Sequence, residues 1–525
     1  MGVMSMFHLL QLEGRFQDNL ALLITILLLS TLLVVVLQRF GFRKSQKLPP
    51  GPWPWPVVGN LFMLGKSPHT AFARFAEQYG PLVYLRLGSA HAVVASSPAL
   101  AKEFLKTQDH VFPVRPPSLA FTILTGNSGM GVSSGSTLRF LRRICMNELF
   151  TAKRLELFQP MRTAEIHAMI KDIYVEAQDD KVIDLNFKLA SLSTNNITQM
   201  LFRKRCCGVG TNQRETRWFK ETADEVFHWY GVFIIADYIP YLKWVTKLQG
   251  IDASLQALYT KLSTFIQQII DEHRRNPNVV DNDTIKDFVD VLLTMPQEDG
   301  TGHLSDVTIK AIIIDMLTAG LDTSYVTLEW VMAELLRHPD IMKRAQKELD
   351  TIVGTNRLVT ESDLQHLPYL QAILKETFRI HPPAPLMAPH RSIQPCQVEG
   401  YNLPTNTQLF VNLWAIGRDP NIWERPLEFD PDRFMQHPEI DVHGFNFELL
   451  PFGTGRRACP GRPLGILFAQ IGLANLLQSF DWTLPPNLQE EPMKLDMSET
   501  FGLTVKKTQG LCAKAQPRLH PHFYH

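Results

Sequence analysis

The stretch Leu450-Pro-Phe-Gly-Thr-Gly-Arg-Arg-Ala-Cys-Pro-Gly461 decides how this chain is read. Cys459 stands among small, turn-forming residues and beside Arg456 and Arg457, so its loop is electropositive and favours thiolate. A helix expected from near Pro463 adds its positive N-terminal dipole. A thiolate in such a place serves as a nucleophile, a structural thiol or a metal ligand, and the residue types alone leave these open. Phe452, Gly455, Arg457, Cys459 and Gly461 together form F-x-x-G-x-R-x-C-x-G, a spacing hard to meet by chance.

Working towards the N-terminus, Pro431-Asp-Arg-Phe434 and Glu376-Thr-Phe-Arg379 come next. Glu376 and Arg379 lie three residues apart, on one face of an expected helix. An exposed pair of this kind contributes only a few tenths of a kcal/mol. Further upstream, Ala319-Gly-Leu-Asp-Thr-Ser324 lies inside a long apolar helix that begins near Asp306. A mid-helix glycine costs roughly 1 kcal/mol and marks a kink or a close approach. Thr323 can bond back to a carbonyl one turn earlier and open the helix there. An Asp-Thr pair in this position is a satisfied kink or a proton-handling site.

Composition narrows the field. The chain has 525 residues, 52 basic and 52 acidic side chains, and no formal net charge. Nucleic-acid binding is disfavoured, since phosphates demand a basic excess. With 45% hydrophobic residues the chain can bury a core, which excludes disorder. Six cysteines without C-x-x-C spacing exclude a disulfide scaffold and zinc ribbons.

Residues 20–37 read LALLITILLLSTLLVVVL, an uncharged run spanning roughly 27 Å as a helix, enough for a bilayer core. No small-residue cleavage site follows, so an uncleaved anchor is preferred to a signal peptide. Arg39, Arg43, Lys44 and Lys47 follow the run, which places the body on the cytosolic side. The sequons at Asn196 and Asn282 are then chance matches. Lys47–Pro56 is too proline-rich for helix or strand and reads as a stiff spacer. The expected organisation is an anchor over residues 1–46, a proline-rich hinge over 47–60 and one catalytic domain over 61–525.

Helical periodicity dominates the body, at Pro98–Lys106, Arg139–Phe150, Arg162–Ala177, Tyr259–Arg275, Asp306–Arg337, Ile341–Ile352 and Leu364–Ile380. Strands are expected at Tyr84–Leu87, Ala92–Ala95, Gln397–Glu399 and Gln408–Asn412. The fold class is mainly α with a small β region (α+β). Residues 113–135 form a loop long enough to be functional. Its Gly131-Val-Ser-Ser-Gly135 lacks the strand a nucleophile elbow needs, and Gly59–Ser67 has the wrong spacing for a phosphate loop. The terminal His520, His522 and His525 read as a frayed tail.

With these motifs in this order, the chain resembles the cytochrome P450 family from Pro49 to Pro517. The resemblance implies the P450 fold, a haem b cofactor with Cys459 as axial thiolate, and Phe452, Gly455 and Gly461 shaping the haem loop. It implies that Glu376, Arg379 and Arg433 form a network buttressing that loop. It implies that Arg142, Arg457 and His390, the last with Arg391 as a possible substitute, hold the haem propionates. One departure stands in Leu138-Arg-Phe-Leu-Arg142, where the family usually has tryptophan at the first position. Asp322 and Thr323 resemble the acid–alcohol pair that relays protons to dioxygen.

The implied activity is a monooxygenase using O2 and electrons from an NADPH-cytochrome P450 reductase. Arg456 and Arg462 would lie near its docking face, since the chain itself has no dinucleotide fingerprint. The proline hinge, Phe445–Gly461 and Asp496–Leu503 are similar to land-plant microsomal members anchored in the endoplasmic reticulum, and within these to phenylpropanoid and flavonoid ring hydroxylases. Other segments (287–300, 142–155 and the C-terminus) resemble in-chain fatty-acid hydroxylases. A reductase-independent haem-thiolate lyase or isomerase is the alternative of another class, disfavoured by the intact Asp322–Thr323. Family analogy draws substrate contacts from 113–135, 312–319, 384–388 and 501–503, an apolar lining suited to a small lipophilic molecule.

Overall fold

The computed structural model describes residues 47–208, 211, 213–276 and 286–524, with a few helical residues between 22 and 33. The expected anchor and the Asn282 sequon lie largely or wholly outside them. Those few residues include Leu22, Leu23, Ile26, Leu27, Leu29 and Leu33, all exposed.

The Asp306–Arg337 helix is the axis of the molecule. It is long and apolar enough to cross a membrane, yet most of it is buried against other helices. It packs on Leu185–Phe202, Arg462–Ser479, Pro368–Ile380 and Ile251–Arg275. An apolar helix buried on several faces is what a large core requires. Ser305 caps its start, accepting from Thr308 N.

Leu185–Phe202 and Gln213–Gly231 are helices beyond those expected. The first is buried on nearly all sides, so it shows no amphipathic stripe. The expected Leu364–Ile380 helix divides into a 3-10 turn, Glu361–His366, and the Pro368–Ile380 helix, because Pro368 takes the first helical turn.

The β structure is small and set to one side. Leu82–Leu87 and Ala90–Ala95 pair antiparallel around the Gly88-Ser89 turn. Gln408–Val411 joins parallel to the second strand, and His390–Arg391 borders it. Cys396–Val398 pairs with Tyr401–Leu403 through Glu399 and Gly400, both with positive φ.

The proline-rich spacer lies against the body where it is described: Tyr84 N donates to Pro50 O at 2.8 Å, and Asn402 N to Lys47 O at 2.7 Å. One expectation is corrected. The tail is not frayed as far as Tyr524, and His525 lies outside the described residues. Tyr524 is 2% exposed, stacks on Tyr174 at 4.3 Å, and accepts from the N–H groups of Arg518 and Leu519. Its aromatic ring supplies core contacts that the histidine-rich composition conceals.

Candidate haem-thiolate site

Cys459 follows a tight turn. Its N–H donates to Phe452 O at 2.8 Å, and the Phe452 ring meets Phe378 edge-on at 5.5 Å. Gly455 has φ +72°, and a Cβ there would sit 2.7 Å from Leu105 O, so only glycine fits. Gly461 precedes the Arg462–Ser479 helix, and the N–H groups of Gly461 and Arg462 point at the Cys459 sulfur. These donors, with Arg142 and Arg462, favour the thiolate, but burial outweighs them and pushes the thiol up. The charge of a bound metal ion, which deprotonates a coordinating thiol outright, would outweigh that burial.

Cys459 is surrounded by protein yet keeps accessible surface. The same is true of the central helix in mid-course. Ala319 is exposed and Gly320, Thr323 and Ser324 half-buried, while Leu317 and Leu321 beside them are buried. Thr323 Oγ1 donates to Ala319 O at 2.8 Å, the expected back-bond. Ser193, from the Leu185–Phe202 helix, donates to Gly320 O at 3.0 Å and Leu321 O at 2.8 Å. A Cβ on Gly320 would lie 3.1 Å from Ile197, so the glycine permits this close crossing. Asp322 points elsewhere: it is 1% exposed and ion-paired to Lys506.

Near the cysteine loop, four basic groups gather without forming an ion pair among the described residues. Arg457 donates to Pro113 O at 3.0 Å, Met130 O at 3.2 Å and Ser133 O at 2.6 Å. Arg115 donates to Ala388 O and, at 3.0 Å, to Pro389 O. His390 Nδ1 donates to Phe112 O at 3.0 Å. Burial and mutual repulsion push Arg457 down to about 10, Arg115 to about 9 and His390 to about 3. Arg142 is lowered by burial as well. Arg115 escaped sequence reasoning, because its carbonyl partners lie 273 and 274 residues away. The loop is also held from the opposite side, where Met130 N donates to Asp315, whose carboxyl burial pushes up to about 7.

Glu376, Arg379 and Arg433 meet in the core. Arg379 grips Glu376 bidentately at 2.6 and 2.7 Å, and Arg433 Nε reaches Glu376 Oε1 at 3.0 Å. Remaining donors go to backbone carbonyls, including Pro426 O and Glu428 O from Arg379 and Glu424 O from Arg433. This is a satisfied buried network, far from the solvated pair that the spacing alone suggests.

A family model described as Cytochrome P450 matches residues 49–511. The chain belongs to the cytochrome P450 family. It is 40% identical to Cytochrome P450 703A2 of Arabidopsis thaliana, over 96% of this chain and 99% of that one. It is 39% identical to a flavonoid 3'-monooxygenase of Petunia hybrida (97% and 99% covered) and 38% identical to a flavonoid 3',5'-hydroxylase of Campanula medium (93% and 95%). It is accordingly a P450 monooxygenase with a haem-thiolate iron cofactor.

The residues fit that group. A soft sulfur ligand suits iron, and basic groups lacking carboxylate partners suit the acidic edge of a haem. Leu138, where the family usually has tryptophan, is buried in the core and offers no donor.

Proposed function

We propose that this P450 hydroxylates the ring of a flavonoid, using O2 and electrons from an NADPH-cytochrome P450 reductase. The observation that carries the reading is the pairing of an enclosed, accessible cysteine sulfur with a cluster of basic groups that form no ion pair. Full-length similarity to flavonoid hydroxylases supports the substrate class.

In this reading Cys459 would supply the thiolate that holds haem b, and Phe452, Gly455 and Gly461 would set the sulfur's place. Arg142, Arg457, His390 and Arg115 hold the propionates. The bound group supplies oxygen activation, favoured by the thiolate's electron donation. Thr323, bonded back to Ala319 O within the unbroken helix, would present its hydroxyl for proton transfer, and the buried Asp322 next to it would supply the acid. Glu376, Arg379 and Arg433 fix the backbone beneath the loop.

Exposed apolar side chains support a membrane location. Trp53, Trp55, Val57 and Phe62 precede the first strand, and Tyr241, Trp244 and Leu248 follow Tyr238. Both groups flank the Gly88-Ser89 turn, where Gly88 N donates to Val58 O and Ser89 N to Tyr238 O. A contiguous apolar rim of this kind suits a lipid surface. With the run at 20–37, it supports a single-pass anchor (residues 1–46), a hinge (47–60) and a catalytic domain (61–525) facing the cytosol at the endoplasmic reticulum. Arg456, half-exposed and 2.7 Å from Asp109, and Arg462 lie beside the cysteine loop where a reductase would dock.

The test is turnover by membranes holding this protein and a reductase, offered panels of flavonoids and fatty acids. NADPH-dependent ring hydroxylation of a flavonoid is the expected result. Exclusive oxidation of fatty acids would overturn the substrate class, and product without NADPH or reductase would overturn the reaction type. Thr323→Ala should keep NADPH consumption while product falls several-fold; an unchanged product yield would remove its role.

A further inference from the structure

Residues 499–507 form a hairpin in which Glu499–Thr500 pairs with Lys506–Lys507. Its first strand is fastened by Glu499, whose Oε2 lies 3.1 Å from His69 Nε2 and whose Oε1 lies 3.7 Å from His381 Nδ1. Its second side ends on the central helix. Lys506 Nζ lies 2.6 Å from Asp322 Oδ1, and the Thr504 hydroxyl donates to Asp322 Oδ2.

Between these fastenings lies the half-buried turn Phe501-Gly502-Leu503. Phe501 stacks on His69 at 5.6 Å, and a Cβ on Gly231 would come within 2.8 Å of Gly502 Cα. The turn is thus wedged against the end of the Gln213–Gly231 helix.

Asp322 is 1% exposed, and Lys506 is its ion-pair partner among the described residues. The other titratable groups that interact with it are Tyr325 on its own helix and Asp224 on the Gln213–Gly231 helix. Lys506 also lies 4.9 Å from the Phe227 ring centre and 5.6 Å from that of Tyr325. A carboxylate buried this way has its direction set by its cation, because losing that cation leaves an uncompensated charge.

We propose that Lys506, assisted by Thr504, is a positioning residue for proton delivery: it sets the Asp322 carboxylate from a hairpin whose other strand is fastened through Glu499. This rests on the reading of Asp322 and Thr323 as the acid–alcohol pair.

The test uses the haem-loaded, full-length protein with reductase and the flavonoid that binds best. Hydrogen peroxide released per NADPH oxidised measures uncoupling, and hydrogen exchange of 499–507 measures the tether without turnover. Lys506→Met should raise peroxide several-fold and speed exchange across the hairpin, with the substrate's spectral affinity little changed. Lys506→Arg should restore both. In an Asp322→Asn background, Lys506→Met should add nothing to the uncoupling. Normal coupling in Lys506→Met while Asp322→Asn is uncoupled would overturn the proposal. Normal coupling in Asp322→Asn would instead sink the underlying reading of the acid, and this inference with it.

Discussion

The arginines around Glu376 and those around Cys459 are treated in opposite ways by the fold. Around Glu376 the fold supplies every partner: one carboxylate, two guanidinium groups and a set of carbonyls. Around Cys459 it supplies Arg115, Arg142, Arg457 and His390, with carbonyls for Arg115, Arg457 and His390 and, among the described residues, no ion pair for any of the four. Burying like charges together is costly and lowers their affinity for protons. A fold keeps such a cluster where an anion from outside completes it. The difference separates charges that hold the scaffold from charges that hold a ligand, although both motifs look alike in sequence.

The contrast is broken most severely at Arg379. Arg379→Ala leaves Glu376 buried with a diminished set of partners and should cost about 3–5 kcal/mol. Thermal unfolding and the yield of folded protein would show it, with or without haem. A mild effect would mean the network is not what supports the loop.

Arg142→Ala should behave differently. A charge-assisted bond to a propionate contributes roughly 1.5–3 kcal/mol, so haem loss should accelerate about 10- to 100-fold. The haem-free protein should change by less than about 0.5 kcal/mol, since Arg142 makes no ion pair there. Equal losses in both forms would assign Arg142 to the scaffold. Transfer of haem to an acceptor globin, alongside unfolding of the haem-free form, separates the outcomes.

At neutral pH the smallest effect is at His390. Its folded value of about 3 lies below the ordinary histidine value of 6.5, so the unfolded state binds the extra proton first. Its contribution to stability is complete above about 6.5 and is lost as pH falls towards 3. His390→Gln should flatten that part of the haem-free stability profile, and an unaltered profile would contradict the burial argument.

Much of this was legible in the sequence. The spacing from Phe452 to Gly461 identified the cysteine loop, and the Thr323 back-bond was expected from a threonine after a mid-helix glycine. The small α+β division also held, because alternation at Leu82–Ala95 and helical periodicity elsewhere are local signals. What escaped depends on contacts between distant segments. Ser193 reaches Gly320 across 127 positions, and Arg115 reaches Ala388 across 273. Neither residue belongs to a local pattern, and only the folded chain brings its partner near. The packing around Cys459 escaped for a related reason: neighbouring arginines are visible in sequence, whereas the burial that opposes them is not.

The central claim is that Cys459 binds iron through sulfur at a site completed by these basic residues. The most direct measurement is the carbon monoxide difference spectrum of the reduced, full-length protein, beside Cys459→Ser. The account predicts the red-shifted thiolate band in the wild-type protein and its loss in the variant. A wild-type spectrum without that band, or a variant that keeps it, would contradict the assignment.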